Sequence, residues 1–312
     1  MQADAYDSHQ PVLLSEVARA LKIKTDGIYI DCTFGRGGHS REMLKGLGPA
    51  GRILAIDQDF QAVDYAKSLF AEDQRMVIEQ CNFSQIVQAA EKYKFDGRVD
   101  GILFDLGVSS PQLDDSTRGF SFMRDGPLDM RMNMQEGMSA AQWLERVSAH
   151  ELEKVIKVYG EERYAKRIAT AILQQQKISP LKTTRQLADV VLKTIGRSRE
   201  HKHPATRTFQ AIRVFINREL EVLATALDEC VELLAQSGRL LVITFHSLED
   251  QLVKKLFRKH NEPNIPRKLP VVDQFQPKLK RVCKPIKPSE SEIAGNPRAR
   301  SAKLHVMERV VC

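Results

Sequence analysis

GIYIDCTFGRGGHS, at residues 27–40, is the stretch that decides the fold of this 312-residue chain. Its first six residues are mostly apolar and predict a short buried strand over 27–32. A glycine loop follows, and residues 37–47 predict a helix that ends at the breaker GLGP, residues 46–49. Glycines at a helix N-terminus leave backbone N–H groups open to a ligand. The stretch therefore predicts a binding loop between a strand and a helix.

Short apolar strands and amphipathic helices alternate after this loop. The predicted strands are 51–57, 75–83 and 99–108, and the predicted helices are 60–70 and 84–93. Such alternation is typical of βαβ units that share a parallel sheet. We therefore expect an α/β fold with a Rossmann-like, mostly parallel sheet.

The alternation stops in the middle of the chain. Residues 111–135 are rich in turn residues, and residues 139–200 predict helices only. A long helix over about 206–236 precedes a fifth strand at 238–247, and further strands are expected at 279–286 and 301–311. We expect a core formed by residues 1–110 and 206–312, interrupted by an all-helical domain at 111–205 that recognises the substrate.

Charge is distributed unevenly. The chain carries 47 Lys and Arg against 40 Asp and Glu, and residues 254–312 alone hold 15 basic and 5 acidic residues. The excess is consistent with a solvated tail or with a surface that faces a polyanion such as RNA.

Several classes are excluded on composition. No apolar run approaches the roughly 20 residues that span a bilayer, and the first ten residues, MQADAYDSHQ, do not resemble a secretory signal. Five scattered cysteines without a CxxC pair argue against a disulfide framework or a zinc site. We expect a cytoplasmic protein with no membrane contact and no metal.

The glycine loop departs from the dinucleotide pattern G-x-G-x-x-G, because Ser40 replaces the third glycine. The pattern Asp31-x-x-x-Gly35-x-Gly37, followed by Asp57 at the end of the next strand, resembles motif I of class I S-adenosylmethionine-dependent methyltransferases. Asp31 would face the amino group of the ligand, and Asp57 would accept both ribose hydroxyls. At this point an NAD-binding oxidoreductase remains the competing interpretation.

Longer segments resemble one family throughout the chain. They are FDLGVSSPQLDDSTRGFSFMRDGPLDMRM at 104–132, HPATRTFQAIRVFINREL at 203–220 and ITFHSLEDQLVKKLF at 243–257. With shorter matches from His9 to Arg309, they are similar to the RsmH (MraW) family of bacterial ribosomal RNA cytosine-N4 methyltransferases. The resemblance implies a class I methyltransferase core with an inserted helical domain. It also implies methylation of a cytidine in the decoding region of 16S ribosomal RNA, in the small subunit, by S-adenosylmethionine.

The resemblance also assigns residues to the cofactor. Together with the glycine pattern, it places the cofactor contacts at Gly35, Gly37, Gly38, His39, Asp57, Phe83, Asp105 and Gln112. Two positions depart from the family, because Cys32 stands where glycine is usual and Gln251 where arginine is common. We expect little effect from the small Cys32, whereas Gln251 removes a possible partner for a phosphate or carboxylate.

Four residues are candidates for catalysis. Asp105 ends the fourth strand, where ligands bind in open α/β sheets, and Ser109 and Ser110 follow it with oxygens that could face the N4 amino group. His246 follows the fifth strand and would reach the substrate from the same edge. The structural alternatives are a strand-end cap for Asp105, a plain turn for the serines and a buried histidine held by its neighbours for His246.

RNA contacts are expected where basic and aromatic residues occur together. The candidates are Arg118, Arg131, His203, Arg207, Arg298 and Arg300, accompanied by Phe120, Phe122, Arg124, His201 and Lys202. Each alone is more typical of a solvated surface, and it is the cluster, together with the basic tail, that favours RNA binding. Two other functions stay open: a non-catalytic RNA-binding assembly factor that keeps the fold, and a methyltransferase for a small molecule or a protein.

Overall fold

The computed structural model describes residues 11–196, 203–261 and 276–310. The chain divides into two compact units, one of Met1–Gly107 with Leu220–Cys312 and one of Val108–Glu219. The described helices are, in chain order, α1 (Leu14–Leu21), α2 (Gly38–Gly46), α3 (Phe60–Leu69), α4 (Ile86–Lys92), α5 (Ser110–Asp114), α6 (Ala140–Leu144), α7 (Ala149–Gly160), α8 (Ala165–Ile178), α9 (Thr184–Ile195), α10 (Thr206–Ile216), α11 (Glu219–Leu233), α12 (Ser247–Asn261) and α13 (Glu290–Gly295). Short 3₁₀ helices occur at Phe83–Gln85, Ser116–Arg118 and Pro297–Ser301.

The first unit is built on a sheet whose described part has seven strands in the order β3-β2-β1-β4-β5-β7-β6. The strands are β1 (Ile28–Asp31), β2 (Arg52–Asp57), β3 (Met76–Gln80), β4 (Val99–Asp105), β5 (Leu234–Thr244), β6 (Leu279–Arg281) and β7 (Lys303–Arg309). Strands β1 to β5 pair in parallel, whereas β7 pairs antiparallel to both β5 and β6. The α/β expectation is confirmed, and the fold is that of class I methyltransferases.

The central strands are apolar because both of their faces are covered. Every residue of β1 is buried, and Ile30, Leu54, Ile102 and Leu240 are fully inaccessible to solvent. Fully covered parallel strands read as continuous apolar runs, which is how the sequence shows them.

The order of the strands fixes the position of a crevice. β1 and β4 are neighbours in the sheet, although β2 and β3 lie between them in the chain. The connections after β1 and β4 therefore leave towards opposite sides, and ligands bind outside the carboxyl ends of strands at such a switch point. The glycine loop follows β1, and Asp105 ends β4.

The second unit is helical, as expected for the inserted domain. Its core joins side chains from α6 to α10, including Trp143, Ile156, Ile168, Leu187 and Ile212. α10 packs here, against α7, although the sequence bounds assigned its residues to the core that starts at 206. Its inward residues Phe209 and Ile212 contribute to this helical core.

The helical stretch expected over about 206–236 is not one continuous helix. It is interrupted between α10, which ends at Ile216, and α11, which begins at Glu219. Arg218 has a left-handed backbone with φ of 50°, which ends α10. The Asn217 amide donates to the carbonyl of Met130 at 2.7 Å and accepts from the N–H of Met132 at 2.7 Å. β5 also begins earlier than expected, at Leu234, and runs through Gly238, where a side chain would lie 2.6 Å from the carbonyl of Val99.

Within the described residues, no helix is long and apolar enough to cross a membrane. Nor do the described parts of the chain contain a group of three or more His, Cys, Asp or Glu side chains placed to hold a metal ion.

Candidate active site

The glycine loop is shaped by contacts that leave no room for side chains. Gly35 and Gly37 have left-handed backbones, with φ of 55° and 71°. A Cβ at Gly37 would lie 2.5 Å from Cζ of Phe34, and one at Gly38 would lie 2.1 Å from Cγ of Pro11. Gly37 precedes the first turn of α2, where its backbone carbonyl accepts from Arg41. The N-terminus of α2 is thus presented as bare backbone, which suits a ligand that approaches closely.

Asp31 anchors the loop from inside. Its Oδ2 accepts from the Ser40 hydroxyl at 2.7 Å, and its Oδ1 accepts from the N–H of Thr33 at 3.2 Å. The side chain is fully buried, and burial raises the pKa of Asp31 above its ordinary value. In the structure its carboxylate ties β1 to α2, and the expectation that Asp31 also faces the amino group of a ligand stays a prediction.

Asp57 lies at the carboxyl end of β2, beside the glycine loop. Its Oδ2 accepts from the N–H of Gly35 at 2.8 Å, and its Oδ1 accepts from the N–H of Asp59 at 2.9 Å. The side chain is half-buried, and burial raises the pKa of Asp57 to about 6. Each carboxylate oxygen keeps a lone pair, so Asp57 can still accept hydrogen bonds from two hydroxyls.

His39 and Asp105 face each other across the switch point. His39 Nε2 lies 3.6 Å from Asp105 Oδ2, and the His39 ring is only 6% exposed. Both ring nitrogens of His39 and Oδ1 of Asp105 are buried, and none has a hydrogen-bond partner among the described residues. Buried polar atoms without a partner are rare in folded proteins. Their concentration at the end of β4 marks this place as the one that a polar ligand completes.

Thr33 fixes the position of Asp105, which the sequence did not indicate. The backbone N–H of Asp105 donates to Oγ1 of Thr33 at 2.7 Å, joining the loop after β1 to the end of β4. Ser40 has a comparable role toward Asp31. The only sequence signal for these two contacts was the presence of hydroxyl residues beside the glycine loop. The local sequence does not identify hydrogen-bond partners that lie on other strands.

Phe83 and Cys81 follow β3. The Phe83 ring meets Phe104 edge to face, with centroids 5.6 Å apart, and is half-buried against the core of the first unit. Burial raises the pKa of the Cys81 thiol to about 11, so it is protonated at neutral pH and is a poor nucleophile. The placement leaves one side of Phe83 partly exposed, and its contact with adenine stays a prediction.

His246 is placed by its own helix. Its Nε2 lies 2.9 Å from Oε1 of the buried Glu249, without a linear hydrogen bond between them. Oε2 of Glu249 also accepts from the backbone N–H groups of Phe245 and His246. The HSLED motif therefore closes the start of α12, which is the structural alternative, and a role of His246 toward the substrate stays a prediction. Gln251 is exposed on the same helix.

Cys32 lies in the core of the first unit, directly before the loop. Its side chain is buried, and its backbone N–H donates to the carbonyl of Leu103 at 2.9 Å. Burial raises the pKa of the Cys32 thiol well above its ordinary value. The residue thus behaves as a small apolar side chain.

Ser109, Ser110 and Gln112 belong to the second unit. Ser109 caps α5: its hydroxyl accepts from the N–H of Gln112, and the Gln112 side chain accepts from the N–H of Ser109 at 3.0 Å. Gln112 is buried, and Ser110 is half-buried in the first turn. The capping box explains Ser109 and Gln112 in structural terms, while their assigned roles stay predictions.

The structure corrects one of the arginines assigned to RNA and shows an internal partner for another, whose role stays a prediction. Arg118 is 1% exposed and donates to the backbone carbonyls of Arg131 and Met132 at 3.2 and 2.8 Å, so it cannot reach a phosphate. Arg131 makes a two-pronged ion pair with Asp129, at 2.9 and 2.8 Å. Its guanidinium holds the loop together. Phe120, beneath the Arg118 guanidinium, is buried as well.

The remaining candidates keep some exposure. His203 stacks on Phe122, with ring centroids 4.6 Å apart, and Arg207 lies 3.9 Å from Glu162 with its side chain 42% exposed. Arg124 is exposed and follows Phe122 by two residues in the chain. His201 and Lys202 lie outside the described residues.

Arg298 and Arg300 are exposed in the 3₁₀ helix Pro297–Ser301 of the first unit. This helix leads into β7, whose first residue Lys303 pairs with Thr244 at the end of β5. Both arginines therefore lie at the carboxyl edge of the sheet, the edge that also carries Asp105.

Comparison with known proteins identifies relatives over nearly the whole chain. The profile of the MraW methylase family matches residues 7–310. Three proteins named ribosomal RNA small subunit methyltransferase H are similar to the chain. The one from Hydrogenovibrio crunogenus is 52% identical over 308 residues, covering 97% of both chains. The one from Nitrosococcus oceani is 51% identical over 312 residues, covering 99% of both. The one from Coxiella burnetii (strain Dugway 5J108-111) is 48% identical over 305 residues, covering 97% of this chain and 99% of the relative.

Solved structures are more distant. A putative rRNA-methylase from Clostridium thermocellum is 12% identical with a TM-score of 0.46, covering 97% of this chain and 100% of the other. A putative methyltransferase from Streptococcus mutans in complex with SAH is 11% identical with a TM-score of 0.42, covering 95% of both. Both TM-scores are below 0.5, so no property of this chain is inferred from either structure.

Proposed function

Since this chain belongs to the MraW methylase family, we propose that it methylates the RNA of the small ribosomal subunit with S-adenosylmethionine as the methyl donor. We propose further that the target is the exocyclic N4 of a cytidine in the decoding region of 16S ribosomal RNA. The names of relatives that are about half identical over almost their full length support the coarser part of this proposal. Such a substrate lies in the cytoplasm.

The residues at the switch point fit the proposed methyl donor. The backbone N–H groups at the N-terminus of α2 suit the carboxylate of its amino-acid portion, and the free lone pairs of Asp57 suit its ribose hydroxyls. The unsatisfied nitrogens of His39 offer polar partners at the same place. S-adenosylmethionine supplies an electrophilic methyl group on a sulfonium centre.

The amino group of cytosine needs help to act as a nucleophile, because its lone pair is conjugated with the ring. An acceptor that holds one N–H directs the lone pair out of the ring plane. It also stabilises the positive charge that develops on nitrogen and can accept the proton that the nitrogen then loses. Asp105 provides such an acceptor, since Oδ1 is buried without a partner at the end of β4. This unpartnered oxygen is the observation that carries the proposal. The bond from the Asp105 backbone N–H to Thr33 holds this end of β4 in position, and the His39 ring lies 3.6 Å from the carboxylate.

The test measures transfer of labelled methyl groups from S-adenosylmethionine into small subunits from cells that lack this protein, followed by digestion to nucleosides. We expect labelled N4-methylcytidine. The Asp105→Asn variant should lower kcat by about 100-fold or more, in the range of an acid–base contribution. Asp96→Asn changes an exposed carboxylate before β4 in the same way and should leave kcat unchanged.

Three results would contradict the proposal. Label in any other nucleoside would show that the base or the atom was misassigned. Absence of S-adenosylmethionine binding in isothermal titration would favour the non-catalytic assembly factor, and transfer to a protein or a small molecule instead of RNA would favour the third alternative.

A further inference from the structure

A recess lies on the first unit, formed by residues that are far from the glycine loop in the chain. α12 forms one wall through Lys254 and Phe257, β6 and the segment after it form another through Arg281 and Pro285, and His305 of β7 lines it as well. All of these residues belong to the basic part of the chain after residue 253. None of them belongs to the site at the glycine loop.

Arg281 is held over an aromatic ring at this recess. Its guanidinium carbon lies 4.2 Å from the centroid of the Phe257 ring. Within residues 11–196, 203–261 and 276–310, no carboxylate lies within ion-pair distance of it. A stacked guanidinium keeps its N–H edge free, and that edge matches two oxygens of a phosphate.

A buried polar cluster lies beside this arginine. His305 is 7% exposed, and its Nε2 lies 3.0 Å from Oδ1 of Asp250 without a hydrogen bond to it. Oδ2 of Asp250 is paired with Lys254 at 2.8 Å and with Lys303 at 3.4 Å. Burial lowers the pKa of His305, so the ring is uncharged at neutral pH. The cluster therefore holds three cations, with Arg281 included, against one carboxylate.

Nε2 of His305 and Oδ1 of Asp250 are both buried without a hydrogen-bond partner among the described residues, and His305 lines the recess. The position agrees with RNA, because β7 starts at the edge of the sheet that carries Asp105: Ile243 pairs with both Asp105 and Leu304.

We propose that this recess binds a backbone phosphate of the substrate RNA, through Arg281, Lys254 and His305, at a nucleotide other than the one that is methylated. The inference rests on the proposed function for the identity of the RNA. It adds a second contact point, beside β6 and β7, on the far side of β5 from the Asp105 carboxylate.

The first experiment compares Arg281→Ala with Arg258→Ala, which removes an equal charge from an exposed position one residue past Phe257. We expect Arg281→Ala to raise KM for small subunits about tenfold, as the loss of one charged hydrogen bond does, while kcat and the Kd for S-adenosylmethionine stay unchanged. Its plot of log affinity against log salt should also be shallower by about 0.7. Arg258→Ala should change KM less than twofold. Equal effects of the two variants would overturn the proposal.

The second experiment measures binding without methyl transfer, which separates this inference from the proposed function. Filter binding with deproteinised small-subunit RNA should show the same loss for Arg281→Ala. If that loss occurs while no methyl group is transferred to RNA, the recess stands and the proposed function fails. A loss with whole subunits but not with deproteinised RNA would instead identify a protein partner and overturn the proposal.

The third experiment uses inorganic phosphate as the probe. In protein labelled with ¹⁵N-histidine, millimolar phosphate should shift the ring resonances of His305, and Arg281→Ala should abolish that shift. An unchanged His305 spectrum in the wild-type protein would show that the recess does not take phosphate.

Discussion

At the scale of single residues, burial separates carboxylates that look alike in the sequence. Asp31 and Asp57 both end strands beside the glycine loop, and both were expected to face the ligand. Each of them accepts one hydrogen bond on each carboxylate oxygen, but Asp31 is 1% exposed whereas Asp57 is only half-buried. A strand-end position thus predicts where a carboxylate lies, but its burial decides how easily a ligand reaches it.

The raised pKa of Asp57 gives two pH dependences of opposite direction. The folded protein binds the Asp57 proton more tightly than the unfolded chain, so the stability from this group is present below about pH 4 and is lost as pH rises through about 6. Ribose hydroxyls need the ionised form as acceptor, so the Kd for S-adenosylmethionine should rise as pH falls below about 6.

Isothermal titration and melting curves at pH 5 and 7.5 check this pair of effects. Relative to Asp57→Asn, the melting temperature of the unliganded wild-type protein should fall as pH rises. The wild-type Kd should improve over the same range, and that of Asp57→Asn should stay flat and weaker by about tenfold. Asp64→Asn, at an exposed position on α3, serves as the control. The same pH profile in wild type and Asp57→Asn would show that Asp57 is not the titrating group.

Arg118 shows the opposite error. As an arginine it was expected at the surface, but its side chain is buried. We expect Arg118→Ala to lower the free energy of unfolding by about 2–4 kcal/mol, because two buried carbonyls lose their donor and a cavity remains. Urea denaturation measures this loss. Arg124→Ala, exposed on the same loop, should leave stability nearly unchanged. A fully stable Arg118→Ala variant that binds RNA weakly would restore the original assignment.

At the scale of elements, the turn before α2 depends on glycine for two separate reasons. Gly37 combines a left-handed backbone with a close approach to Phe34, whereas Gly97 has a similar φ of 65° and no atom within 4 Å of the position that a Cβ would occupy. Gly97→Ala should therefore cost only the backbone term of about 1–2 kcal/mol.

Gly37→Ala should cost more and should also weaken S-adenosylmethionine binding, because Phe34 and the start of α2 must shift. Thermal denaturation and isothermal titration of the two variants measure these effects. Equal costs for both, with cofactor binding intact in Gly37→Ala, would show that the tight packing at this turn is not required.

The elements that the sequence predicted are those that local pattern determines. Apolar runs and glycines identified β1 to β4 and α2 to α4, and strand ends located Asp57 and Asp105. The break after α10 was missed because Asn217 is bound to Met130 and Met132, which lie far away in the chain. The meeting of His39 with Asp105 was equally hidden, since only the order of the strands brings them together.

At the scale of the whole molecule, the structure shows where some of the basic residues of the segment 254–312 lie. Many of its lysines are paired with carboxylates, as Lys259 is with Asp228 and Lys278 with Glu232. Arg298 and Arg300, by contrast, are exposed at the edge of the sheet that carries Asp105. The net charge of a tail is therefore a weaker guide to RNA contacts than the position of individual cations.

Affinity for small subunits should fall at least about tenfold between about 50 and 200 mM monovalent salt, because phosphate contacts release counterions. Arg300→Ala should make the salt dependence shallower, whereas Lys67→Ala, on the exposed side of α3, should not. Fluorescence anisotropy with small-subunit RNA gives both slopes. A flat profile for the wild-type protein would contradict a binding mode dominated by phosphates.

Because β7 lies between β5 and β6 in the sheet, β5 lacks its partner strand until late in translation. While the chain is being translated, β5 presents an open row of amide and carbonyl groups until residues 303–309 have left the ribosomal tunnel. At roughly 5–20 residues per second, the segment from Thr244 to Lys303 takes roughly 3–12 seconds to make. Throughout that interval the nascent polypeptide carries a strand edge that invites pairing with other chains, so chaperone capture is most valuable in those seconds.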